Sequence, residues 1–154
     1  MTAQILDRHL HIKAIDAFID PSVPRERAII THGHADHARN GHGAVLATPD
    51  TIAIMKVRYG EDCAGRFEPL GFGVPLQIDD VTITLVPAGH VLGSAQVLVE
   101  HKGQRVVVTG DYKRLAEAVD AIARHGHVVV LGGEAAITSA NEKRPGLLDV
   151  TRVM

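Results

Sequence analysis

The 154-residue chain has no tryptophan, three phenylalanines and two tyrosines, so its core must be built from Val, Ile, Leu and Ala. So few aromatic rings also leave no stacking platform of the kind that reads single-stranded bases. One cysteine, Cys63, excludes an intramolecular disulfide and fits a reducing compartment. No apolar run approaches membrane-spanning length, and MTAQILDRHLHIK carries no apolar signal-peptide core. The expectation is therefore a cytoplasmic protein with no membrane association. Net charge is −2 with histidines neutral, so no global field draws in nucleic acid. Basic residues come in small groups, Arg25/Arg27, Lys56/Arg58, Lys113/Arg114 and Lys143/Arg144, which normally means solvated surface. With 45% apolar and 22% charged residues, the length suits one globular domain.

What is abundant is histidine, and it is clustered. THGHADHARNGH, residues 31–42, holds four of the ten histidines and one aspartate. The preceding AIIT (28–31) reads as a buried strand, as do AFID (17–20) and AVLA (44–47). His32, His34, Asp36 and His37 therefore fall on a strand-ending loop, with the small residues Gly33 and Ala35 between them. Imidazole suits zinc and similar divalent ions, and a carboxylate adds a harder oxygen ligand. His42, later in the same stretch, is expected to matter less to stability than His34.

Two more stretches carry chemistry. PAGHVLGSA (87–95) puts His90 in a glycine-flanked loop after a strand, and VVVTGDYK (106–113) puts Asp111 after four apolar residues. A carboxylate at the end of a buried strand is costly unless paired or metal-bound. Each of these two alone would read equally well as an ordinary loop histidine and a helix N-cap.

The remaining pattern is a layered α/β one. Thr48 and Pro49 begin a helix that Gly60 can end, with Ile52, Met55 and Tyr59 on one face. VTITLVPA (81–88) alternates like a strand, and AQVLVEHKGQRVVVTGD reads as a hairpin turning at Lys102-Gly103. RLAEAVDAIARHG reads as an amphipathic helix and VVVL (128–131) as a further strand. Residues 1–137 form the domain, and 138–154 a tail without a clear assignment.

HGHADH, PAGHVLGSAQV and TGDYK, in that order, resemble the metallo-β-lactamase superfamily. The wording of the last two is similar to its β-CASP branch of RNA- and DNA-processing nucleases, especially ligase-associated DNA exonucleases and mRNA 3′-end processing factors. The resemblance runs from about Phe18 to Arg114. It implies an αββα sandwich, apparently truncated to its first half, with 40 divergent residues after Arg114. It implies two zinc ions, or manganese in their place: His32, His34 and His90 on one, Asp36 and His37 on the other, Asp111 bridging. Asp36 would also orient the attacking water or take its proton. The implied activity is phosphodiester hydrolysis of nucleic acid, which would serve DNA repair or RNA processing.

Beyond Arg114 the likeness fades. Glu134 in LGGEAAI is a weak counterpart of an acidic family residue, because Ala136 and Ile137 replace the Thr and aromatic that follow it. His127 is a weak stand-in for the family's last histidine ligand; with His125 it reads more simply as decorating a helix C-terminus. A missing second half would leave a sheet face uncovered, so a homodimer or a complementing chain is expected to cover it. Two other readings stay open: a hydrolase of a thioester, lactone or β-lactam, and an inactive zinc-binding or assembly module.

Overall fold

A computed structural model describes residues 5–7, 9–89, 91–108, 127–130 and 148–149. Two sheets stack face to face, and a helix covers the outer side of the first.

The first sheet runs in sequence order: β1 (His11–Ile12), β2 (Ala17–Ile19), β3 (Arg27–Ile29), β4 (His42–Ala47) and β5 (Ala64–Pro69). β1 and β2 are antiparallel; the rest are parallel. β3 and β4 are short and apolar because both their faces are covered. Ala28, Ile30, Val45 and Ala47 pack beneath α1 (Pro49–Tyr59), against Ile52, Met55 and Cys63. Ile29 and Leu46, one residue out of step, point the other way into the space between the sheets.

The helix has the expected limits. Thr48 is extended (φ −65°, ψ 154°) and its Oγ1 accepts from the Thr51 N–H, with Pro49 opening the first turn. Gly60 ends it at φ 99°, its N–H bonding the Lys56 carbonyl at 2.8 Å.

The second sheet comprises β6 (Leu76–Ile78), β7 (Val81–Pro87), β8 (Ala95–His101), β9 (Gln104–Val108), β10 (His127–Val130) and β11 (Leu148–Asp149). Alternation along β7 is as read from the sequence: Val81, Ile83 and Leu85 are wholly buried, and Thr82, Thr84 and Val86 half-buried. β8 and β9 turn through Lys102 (φ 51°) and Gly103 (φ 78°), the paired positive angles whose twist suits a two-residue hairpin. β10 joins β9 in parallel and β11 joins β10 in parallel. Leu148–Asp149, within the segment read as a tail, thus belongs to this sheet.

Between the sheets, Val81, Ile83, Leu85, Val97, Val99, Val106 and Val108 meet Ile12, Ile19, Ile29 and Leu46 in one apolar cluster. Each such fully buried aliphatic side chain contributes about 1.5–3 kcal/mol. This corrects the expectation of an uncovered sheet. The partner sheet comes from the chain's own N-terminal strands, and the inward face of β7–β9 needs no second copy to cover it.

Besides β11, three strands were not foreseen. β1 and β6 are too short to show a period, and β5 (AGRFEP) is polar because it lies at the edge, where Pro69 breaks no ladder. His127 opens β10, its backbone paired with Val106. The helix read at 114–125, with His125, lies outside the described residues.

Candidate metal centre

The loop after β3 leaves the sheet at Thr31 and makes one tight turn. The His37 and Ala38 N–H groups both bond the His34 carbonyl, at 3.0 and 2.8 Å. That turn brings three imidazoles together: the His32 ring lies 4.1 Å from His37 and 5.0 Å from His34, centroid to centroid. His32 is buried, His37 half-buried, and His34 and Asp36 exposed. Asp36 Oδ2 stands 3.6 Å from His37 Nε2. Gly33 lets the turn sit on α1, since a Cβ there would lie 2.8 Å from Ile54 Cγ2. Arg58 of the same helix donates to the Gly33 carbonyl.

A residue the sequence did not single out organises the cluster. Asp20 ends β2 in a left-handed conformation (φ 47°), which asparagine and aspartate tolerate better than most residues. Its Oδ1 accepts from the Thr31 N–H at 2.8 Å, and its Oδ2 from the Thr31 hydroxyl at 2.6 Å. Oδ2 also lies 2.8 Å from His37 Nδ1. Because the Thr31 proton goes to Asp20, Thr31 Oγ1 can only accept from His32 Nδ1, 2.9 Å away. In their neutral form both histidines would therefore carry the proton on Nδ1 and leave Nε2 as the lone-pair nitrogen, the arrangement a metal ligand requires. Asp20, His32 and His37 each offer a ligand atom within 4.8 Å of the others. The signal available in the sequence was AFIDP: an acid closing an apolar strand.

The loop carrying position 90 reaches the same edge. The Ala95 N–H bonds the Thr31 carbonyl at 2.8 Å, joining the end of that loop to the start of the histidine turn. Thr48 Oγ1 and Thr51 Oγ1 both donate to the Gly93 carbonyl, at 2.7 and 3.3 Å. Gly93 needs its glycine: φ is 78°, and a Cβ would lie 2.8 Å from Thr48 Oγ1. His90, Asp111 and Glu134 themselves lie outside the described residues, as does the side chain of His127. Among the expected ligands, the structure thus places His32, His34, Asp36 and His37 on one turn; of these, His32 and His37, with Asp20, form the close group found among the described residues.

His42 belongs elsewhere. It starts β4, is 2% exposed, and accepts the Arg25 N–H on Nδ1 at 3.1 Å, while its buried Nε2 has no hydrogen-bond partner among the described residues. Burial holds its imidazole below the ordinary pKa. The sequence-based ranking of His42 below His34 for stability is therefore unsafe, because His42 is a core residue.

Beside the cluster opens a cavity of about 420 Å³, walled by Leu10, Phe18, Asp20, Arg25, Asp36 and His37 among others. That volume lies in the range of small-ligand sites. Cys63 offers no nucleophile there: it is buried under α1, and burial pushes its thiol pKa up.

No family model matches the chain. A probable DNA ligase of Opitutus terrae is 34% identical over 127 residues, covering 79% of this chain and 12% of the ligase. The endoribonuclease ysh-1 of Neurospora crassa is 34% identical over 118 residues, and a ribonuclease of Thermus thermophilus 28% over 110; each covers 56% of this chain. The chain spans 14% and 26% of those two proteins. Among solved structures, zinc-bound PqqB of Methylobacterium extorquens superposes with a TM-score of 0.53 at 14% identity, over 79% of this chain and 53% of PqqB. A protein of unknown function from Enterococcus faecalis gives 0.54 at 15% identity, over 71% and 32%. The two-sheet architecture, the histidine turn closing β3 and these likenesses agree: the chain belongs to the metallo-β-lactamase superfamily, in its β-CASP branch.

Proposed function

We propose that this chain is a metal-dependent phosphodiesterase acting on nucleic acid in an exonuclease-like manner, through a dinuclear zinc centre. The observation that carries the reading is the packing of the His32, His34 and His37 rings on one turn, with Asp36 beside His37 and the Asp20 carboxylate behind it. The donor set fits a divalent ion: neutral imidazoles presenting Nε2, and carboxylates beside them. The names of the sequence relatives, an endoribonuclease, a ribonuclease and a DNA ligase, favour a phosphodiester over a thioester, lactone or β-lactam.

In this reading His32, His34 and His90 would hold one ion and Asp36 and His37 the other, and Asp111 would serve both. Bound there, two divalent ions supply Lewis acidity, acidifying water and offsetting charge that grows on the phosphate oxygens. The chain's own residues do the rest. Asp20 keeps His37, and through Thr31 His32, in one tautomer and one orientation. Asp36, exposed at the cavity wall, orients the attacking water and accepts its proton. His34 stands at the solvent-exposed side of the turn.

Elemental analysis combined with hydrolysis of bis(p-nitrophenyl) phosphate tests the proposal. Zinc-loaded protein should release p-nitrophenol, stop on EDTA treatment and recover with zinc or manganese. Full zinc loading without any phosphodiester cleavage would overturn it, and cleavage of a thioester or β-lactam alone would reassign the substrate class.

A further inference from the structure

The cavity beside the histidine turn has a permanent cation in its wall. Arg25 is exposed, and its guanidinium makes no ion pair among the described residues. It is nevertheless held in place. The guanidinium carbon lies 4.1 Å from the centroid of the Phe18 ring. The His11 ring is stacked on Phe18 too, 4.0 Å away and tilted by only 8°. His11 is itself fixed, its Nε2 2.7 Å from Asp16 Oδ1. From behind, the Arg25 backbone N–H is tied to the buried His42.

A guanidinium resting on an aromatic ring keeps its N–H edge available for hydrogen bonds, and that planar fork matches phosphate oxygens two at a time. Exposed arginines ordinarily lose much side-chain entropy when they grip a ligand. Here Phe18 already holds the guanidinium, and His42 holds the backbone that carries it. The chain's net charge of −2 gives phosphates no general attraction, so a phosphate must be held by local contacts.

We propose that Arg25 is a substrate-binding residue: it takes a nucleic-acid backbone phosphate neighbouring the one presented to the histidine cluster. Phe18 is its positioning residue. The proposal rests on the phosphodiesterase reading for the identity of the strand.

The test is equilibrium binding of fluorescently labelled hexathymidylate to the zinc-loaded full chain, followed by anisotropy at several salt concentrations. Arg25→Ala should weaken binding about tenfold, with Arg25→Lys in between. The slope of log affinity against log salt should become shallower by about 0.7, the value for one phosphate contact on a single strand. Hydrolysis of bis(p-nitrophenyl) phosphate, which has one phosphorus, should fall less in Arg25→Ala than the affinity for hexathymidylate does. Equal affinity and equal salt slope for wild type and Arg25→Ala would overturn the proposal, as would absence of binding by the wild type. If the small diester is hydrolysed while the Arg25 variant binds normally, the subsite falls and the phosphodiesterase reading stands. If binding depends on Arg25 but no diester is cleaved, the subsite stands and the hydrolytic reading falls.

Discussion

Asp20 Oδ2 lies 2.8 Å from His37 Nδ1 and 2.6 Å from Thr31 Oγ1, so one carboxylate at the end of β2 sets the protonation pattern of the histidine turn. Asp20→Asn can present its NH₂ group where an acceptor is needed, and it removes the charge that favours the Nδ1–H tautomers. Zinc affinity, measured by competition with a chromophoric chelator, should fall about 10–100-fold. Unchanged affinity would mean that Asp20 only staples β2 to the loop.

Metal binding and packing separate in two histidine variants. Zinc should raise the thermal midpoint of the wild type, because binding free energy adds to folding free energy. His34→Ala, at an exposed position proposed to bind zinc, should lose most of that zinc-induced rise while matching the wild type in EDTA. His42→Ala leaves a hole where a wholly buried ring stood, and should be less stable in both conditions. Calorimetric scans with and without zinc decide this; a full zinc response in His34→Ala would remove that residue from the centre.

His42 also predicts a pH dependence. Burial holds its folded-state pKa below the unfolded value of about 6.5. The unfolded chain therefore binds the proton first as pH falls. The stability contribution is complete above about pH 6.5 and is lost as pH drops from there through the depressed folded value. Protonation also gives Nδ1 a hydrogen where it now accepts from Arg25. Urea midpoints of metal-free protein between pH 7.5 and 5 should fall more steeply for the wild type than for His42→Gln; parallel curves would show that His42 is not responsible.

Asp36 tests the proton-transfer assignment. It is exposed, so Asp36→Asn should fold normally. Turnover of bis(p-nitrophenyl) phosphate should fall by at least about 100-fold, the usual scale for removing a general base. Zinc bound through His32 and His34 should persist at about one equivalent. A variant that keeps both wild-type turnover and wild-type metal content would take Asp36 out of the mechanism.

Several features were legible because they are written in neighbouring residues. The helix is bracketed by Thr48-Pro49 and Gly60, where cap geometry and proline's fixed φ act within one turn. The hairpin turns at Lys102-Gly103, where only positive backbone angles fit. The strand 81–87 shows its inward face by its own alternation. HGHADH pointed to a candidate metal site because four possible ligands on one turn need no distant partner to be noticed.

Relations between distant segments had to wait for the folded chain. Asp20 meets Thr31 and His37 across 11 and 17 positions, and no local period encodes that meeting. His42 looked like one more member of the histidine cluster until the pleat of β4 turned it into the core, away from His32 and His37. The apolar face of β7–β9 could have met a second chain as readily as its own N-terminal sheet, because an aliphatic stripe specifies burial and carries no address. By itself the sequence determined which groups could bind metal and which strand faces must leave water. Tertiary structure chose their partners, because hydrophobic burial is non-directional while hydrogen-bond geometry at Asp20, Thr31 and His37 is not.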